Sequence, residues 1–157
     1  MIFVTVGNVL PFDRLTRAMD DWARRNPDVD VLAQIGDTAF QPAHMGWVRA
    51  VTPAEFSENV ERCSVVVAHA GIGSIITAAE IGRPIVLMPR RQMLGEHRSD
   101  HQLHTVARLA SRDGILVASD EARLDARIAA ARHLAPAELL SKTAPEPLVK
   151  FLADRFH

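Results

Sequence analysis

Cysteine, tyrosine and unbalanced charge are what this chain has least of. Its 157 residues include one cysteine, Cys63, so no internal disulfide can form and a reducing compartment is expected. Placed just before an apolar run, this thiol reads as a buried structural group rather than a nucleophile. There is no tyrosine, and 6 Phe and 2 Trp are the only aromatics, so platforms for stacking nucleic-acid bases are poorly supplied. The 18 basic and 19 acidic residues leave a net charge of -1, which argues against a general polyanion binder, nucleic acid included.

No apolar stretch reaches the ~20 residues of a membrane span, because His69 and Glu80 interrupt the best candidate. The amino terminus carries neither the basic region nor the small-residue cleavage site of a secretory signal, so a cytoplasmic location is expected. Internal repeats and low-complexity tracts are also missing. Three glycine motifs can be set aside. A dinucleotide fingerprint needs a third small residue where Ile76 stands, a nucleophile elbow needs glycines at Ile72 and Ile76, and a Walker loop needs a Gly-Lys-Ser/Thr ending that does not occur.

What is present centres on residues 65–89. A β-branched run, Val65-Val66-Val67, breaks at Gly71 and Gly73; a helix-compatible segment follows, and a second apolar run starts after Gly82-Arg83-Pro84. Two buried strands joined through a helix lie parallel, which puts the glycine turn at the carboxyl edge of the sheet, where open α/β folds bind ligands. Gly71 and Gly73 let backbone N–H groups approach a bound group, and the helix they open adds the positive end of its dipole. The expected ligand is anionic, a phosphate; the competing reading is a tight turn that binds nothing.

The rest of the chain repeats the alternation. Strands are expected at Ile2–Val6, at Val29 to Ile35, at Trp47–Val51, at Ile85–Met88 and at Ile115–Val117. Helices are expected from Pro11 to Asn26, from a Thr52-Pro53-Ala54-Glu55 cap to about Arg62, from Ser99 to Gly114, and from Ser119 to about Leu134. The pattern gives a single α/β domain with a doubly wound, mostly parallel, Rossmann-like sheet: a core over about 1–134 and a helical tail over about 135–157. Gly7-Asn8, Gly71 to Ser74, Arg90-Arg91 and Glu96 to Gln102 gather at its carboxyl edge. Glu80, two turns into the central helix, is placed either to meet a sugar hydroxyl pair or to face solvent.

These residues carry a resemblance. Met1 to Gly7 with Phe12-Asp13-Arg14-Leu15, His69-Ala70-Gly71-Ile72-Gly73-Ser74, Glu80 to Pro89, and Asp100-His101-Gln102 resemble the carboxyl-terminal, donor-binding half of family 28 glycosyltransferases of the GT-B fold. The likeness extends to free-standing small subunits of two-component enzymes: the eukaryotic UDP-N-acetylglucosamine transferase subunit of lipid-linked oligosaccharide synthesis and bacterial PssE-like subunits of exopolysaccharide assembly. It implies that Gly71, Ile72, Gly73 and Ser74 hold the UDP diphosphate, that His69 sits beside it, that Glu80 accepts from the ribose, and that Asp100 and Gln102 meet the donor sugar. Gly7 and Asn8 would face the cleft, although relatives carry threonine or serine where Asn8 stands. Arg90, with Arg91, would pair a carboxylate if the donor were UDP-glucuronate rather than UDP-glucose or UDP-GlcNAc, or else be a solvated surface charge.

The resemblance further implies a UDP-sugar substrate, no cofactor and no metal. It places the general base and the acceptor, a lipid-linked saccharide, with a membrane-anchored partner subunit that recruits the chain to the cytoplasmic face of the membrane. Two other readings stay open: a non-catalytic nucleotide-binding regulatory module, and a self-sufficient UDP-sugar enzyme acting as a homodimer.

Overall fold

Successive residues of a strand point to opposite faces of a sheet, so a strand apolar at every position must be covered on both sides. That condition shapes residues 1–134, which the computed structural model describes; the helical tail expected over about 135–157 lies outside them. The order is β1 (Ile2–Thr5), α1 (Asp13–Arg25), β2 (Val31–Gln34), β3 (Gly46–Val48), α2 (Pro53–Arg62), β4 (Val65–His69), α3 (Ile72–Ile81), β5 (Ile85–Met88), α4 (His101–Leu109), β6 (Ile115–Val117) and α5 (Leu124–Arg132). On one face Val4, Val65, Val67, Val86 and Met88 meet Leu15, Met19 and Trp22 of α1 and Ile128 of α5. On the other, Phe3, Val66, Ala68 and Leu87 meet Val60 of α2, Ile75 and Ala78 of α3, and Val106 and Leu109 of α4. Cys63 belongs to this second layer, its Sγ directed at the Val60 carbonyl and its thiol pushed up to about 11 by burial.

The six strands run in the order β3-β2-β1-β4-β5-β6, and every pairing is parallel. The sheet is therefore wholly parallel among the described residues rather than mostly so. After β3 the chain crosses to the far side of β1 and lays β4 beside it, Thr5 opposite Ala68. This reversal of winding opens a crevice at the carboxyl ends of β1 and β4, the place where such sheets take ligands.

Local signals explain the boundaries. The Thr52 hydroxyl accepts from Glu55 N at 3.2 Å while Glu55 Oε2 accepts from Thr52 N at 2.7 Å, a reciprocal cap with Pro53 at the first helical position. Gly82, at φ 76, ends α3. Helix α4 starts at His101, two residues later than expected, and Asp100 Oδ1 accepts from Gln92 N at 2.8 Å instead of capping the helix.

Candidate functional site

Above the carboxyl ends of β1 and β4 lies a cavity of about 390 Å³. Its floor and walls are Thr5 of β1 with Gly7 and Asn8 after it, Gln34 of β2, His69 at the end of β4 and Gly71 after it, Gly73, Ser74 and Thr77 on α3, and Val51, Thr52, Pro53, Phe56 and Ser57 where α2 begins. Among the described residues no lysine, arginine, aspartate or glutamate lines it. Helix α3 opens at Gly71 with no side-chain cap, so the N–H groups of Ile72, Gly73 and Ser74 have no helical acceptor and carry the positive end of the dipole. A β-carbon on Gly73 would meet nothing within 4 Å, so the main chain there borders open space. A neutral cavity at an uncapped helix start is suited to an anion held by main-chain donors.

His69 stands between the two glycine turns. A β-carbon on Gly71 would lie 2.1 Å from its Nε2, and one on Gly7 would lie 2.7 Å from its Cε1, so both positions are vacated for the ring. Gly7 also holds a left-handed φ of 76°, which a side chain would resist. Burial, and then the nearby Arg90 charge, lower the imidazole pKa from 6.5 to about 4, and Nδ1 is buried with no hydrogen-bond partner among the described residues. At neutral pH His69 is therefore an uncharged ring beside the uncapped turn at Gly71.

A second cavity, of about 80 Å³, lies on the other side of His69 and is bordered by Gly7, Asn8, Arg90, His97 and Gln102. Arg90 is 3% exposed. Its Nη2 donates to the carbonyls of Val6 and Leu10, both at 2.6 Å, and its Nη1 to those of Pro11 at 2.8 Å and Glu96 at 3.3 Å. Its guanidinium also lies 4.7 Å from the Phe12 ring centroid, and burial lowers its pKa to about 10. Arg91 Nη2 donates to the Ser119 carbonyl. The pairing of Arg90 with a sugar carboxylate is thus corrected: its donors are engaged by the loop after β1, and it is neither a ligand hand nor a solvated surface charge. Arg14 reinforces the same tie, donating to both carboxylate oxygens of Glu96 at 2.6 and 2.9 Å and to the Pro89 carbonyl at 2.9 Å.

Of the eleven positions expected at the site, Gly7, Asn8, His69, Gly71, Gly73 and Ser74 meet at the larger cavity, and Arg90 and Gln102 border the smaller one. Gln102 is 3% exposed, and its Oε1 accepts from Ala70 N at 3.2 Å and Arg90 N at 3.0 Å, stapling the loops after β4 and β5. Ile72 lines neither cavity; its side chain packs on the core and its N–H lies in the uncapped first turn of α3. Glu80 is exposed and lines none of these cavities, about 10 Å of helical rise beyond Gly73. Thr77, one turn earlier, occupies the wall where an acceptor for a sugar hydroxyl was sought. Asp100 is likewise outside the cavities, with its Oδ1 on Gln92 N. Thr77, Phe56 and Ser57 were missed; the i, i+3 spacing of Ser74 and Thr77 on one helix face was the available signal. Among the described residues no three His, Cys, Asp or Glu are grouped to hold a metal ion; His97 and His101 meet edge to face at 4.4 Å.

Comparison with known proteins gives the family and the fold. The profile of the glycosyltransferase family 28 C-terminal domain matches residues 1–146. The chain is similar to the UDP-N-acetylglucosamine transferase subunit ALG13 of Yarrowia lipolytica, 24% identical over 164 residues, covering 94% of this chain and 78% of that protein. Among solved structures it superposes on the glycotransferase of kitacinnamycin with a TM-score of 0.65 and 20% identity, covering 98% of this chain and 39% of that one. For the spinosyn forosaminyltransferase SpnP the values are 0.60 and 21%, covering 96% and 43%. At these identities the likeness is one of fold, and the chain spans about two fifths of the length of those solved proteins.

Proposed function

Because this chain belongs to the glycosyltransferase family 28 C-terminal domain family, we propose that it is the donor-binding subunit of a two-component glycosyltransferase. It holds a UDP-sugar at the start of α3 and transfers the hexosyl group once a second chain supplies the acceptor and its base. The observation that carries the reading is the uncapped, glycine-lined start of α3 facing a cavity without charged side chains among the described residues. The diphosphate lies against the N–H groups of Ile72, Gly73 and Ser74, where the charge that develops on the leaving group meets a fixed dipole. Ser74 and Thr77 offer hydroxyls to the ribose, and the base lies between Val51 and Phe56.

Among the described residues no carboxylate or free imidazole in the larger cavity is available to deprotonate an acceptor, since His69 is the only titratable side chain there and it is held neutral against Gly7 and Gly71. A membrane-associated partner carrying that base and a lipid-linked saccharide completes the enzyme. The name of the Yarrowia relative, a transferase subunit, supports a divided enzyme and UDP-GlcNAc as the first donor to test. No helix among the described residues is long and apolar enough to cross a membrane, so the partner brings the complex to the bilayer.

Calorimetric titration with UDP, UDP-GlcNAc, UDP-glucose and UDP-glucuronate tests the reading, with Gly73→Val alongside. The new side chain enters open space and valine is a better helix former than glycine, so Tm should hold while binding is lost. Binding by Gly73→Val equal to wild type would overturn the site.

A further inference from the structure

In the wall of the cavity at the start of α3, two polar side chains are almost wholly buried among the apolar residues of β1 and β2. Thr5 of β1 and Gln34 of β2 are each 1% exposed and stand opposite one another in register. Thr5 Oγ1 donates to Gln34 Oε1 at 2.8 Å and accepts from Gly7 N at 3.3 Å. Gln34 Nε2 donates to the Gly7 carbonyl and to the Arg49 carbonyl, both at 3.1 Å. Both polar groups of Gly7 are therefore held, and the same amide ties the end of β1 to the segment leaving β3. A buried polar pair is tolerated when all its groups are matched, and it then fixes one arrangement where apolar side chains would allow several.

What this pair fixes borders the site. Gly7 packs against the His69 ring and leads into Asn8, which lines the cavities of about 390 and 80 Å³ and a third, of about 420 Å³, bordered by Asp37 and Arg49. We infer that Thr5 and Gln34 are positioning residues, a buried clamp on the main chain of Gly7 that sets where Asn8 and His69 stand. The inference rests on the donor-binding reading for its consequence: Thr5 and Gln34 border the cavity, but at 1% exposure and with their polar atoms turned to one another, to Gly7 and to Arg49 they act on a ligand through Gly7.

The experiment compares Thr5→Val, Thr5→Ser and Gln34→Met with Ile128→Val, a core change in α5 away from the cavities that lowers Tm without touching the clamp. UDP affinity is read by calorimetry and the His69 ring by NMR titration. Thr5→Val and Gln34→Met should weaken UDP binding about tenfold, the worth of one or two hydrogen bonds, while Thr5→Ser recovers most of it and Ile128→Val binds as wild type. In Thr5→Val the His69 titration should rise from about 4 toward the ordinary histidine value as water reaches the ring. Affinity in Thr5→Val no weaker than in Ile128→Val, or a His69 titration that does not move, overturns the clamp. If wild type itself fails to bind UDP, the donor-binding reading falls and the His69 titration alone judges the clamp. If Gln34→Met does not fold, Thr5→Val decides.

Discussion

Gly71→Ala isolates one contact with little interference from the backbone. Gly71 sits at φ -86 and ψ 134, a conformation any residue adopts, so the substitution carries no dihedral strain. Losing glycine freedom in the unfolded chain favours alanine, and losing a glycine N-cap disfavours it, each by under about 1 kcal/mol. What remains is steric. The added β-carbon lies 2.1 Å from Nε2, 2.7 Å from Cε1 and 2.9 Å from Cδ2 of His69, so the ring must retreat by more than 1 Å to reach ordinary contact. Gly7 blocks that retreat, because the ring already fills the place of its β-carbon. Overpacking of this kind costs about 1–3 kcal/mol, and a ring pinned from both sides belongs at the upper end. Urea unfolding at pH 7 of wild type, Gly71→Ala, His69→Ala and the double variant forms a closed cycle. Gly71→Ala should lose about 2–3 kcal/mol when His69 is present and stay within about 0.5 kcal/mol in the His69→Ala background. Equal losses in the two backgrounds would refute the claim that the glycine is there for the imidazole. Gly7→Ala should be rescued only in part, because its left-handed backbone remains.

The same ring sets a pH dependence. Its folded pKa of about 4 lies below the unfolded value of 6.5, so between those values the unfolded chain takes a proton that the native state refuses, and stability falls as pH drops from about 6.5 to 4. The total is about 3 kcal/mol, and His69→Gln should flatten that window in urea titrations taken at stepped pH. Arg90→Ala leaves the carbonyls of Val6, Leu10, Pro11 and Glu96 without their donor; unfolding should come earlier by about 3 kcal/mol, with UDP-glucose and UDP-glucuronate affinities reduced alike. A loss selective for UDP-glucuronate would return Arg90 to the ligand. Glu80→Gln should leave UDP affinity unchanged and Thr77→Val should reduce it, and calorimetry showing the opposite order would put the ribose elsewhere.

The legible parts of the sequence were those written in consecutive residues. The run Val65 to Val67 followed by Gly71 marked a strand and its turn, and Thr52-Pro53-Ala54-Glu55 marked a cap, because each depends on neighbours a few positions away. Apolar runs at every strand position implied helices on both faces, and both layers are present. How far along α3 the cavity reaches was not legible. Thr77 and Glu80 share one face of the helix a turn apart, and only the placement of α2 and the loop after β1 decides that the cavity ends at Thr77. The arginines failed for a related reason. Arg90 is engaged by carbonyls about eighty residues earlier in the chain, and nothing in the local pattern Pro89-Arg90-Arg91 distinguishes that role from a hand extended to a ligand. Asp100 and Gln102 looked like sugar contacts, yet their oxygens hold the main chain of Gln92, Ala70 and Arg90.

Among the described residues, the lining of the cavity at the start of α3 contains no ionised side chain at neutral pH, His69 included. A doubly charged diphosphate received there by oriented amides has no counter-ion to displace, so its grip should barely weaken as potassium chloride is raised. Nor does that lining offer a lysine or arginine to hold a spent nucleotide, so under the proposed function the departure of UDP, and with it turnover, would be controlled by whatever closes over the cleft.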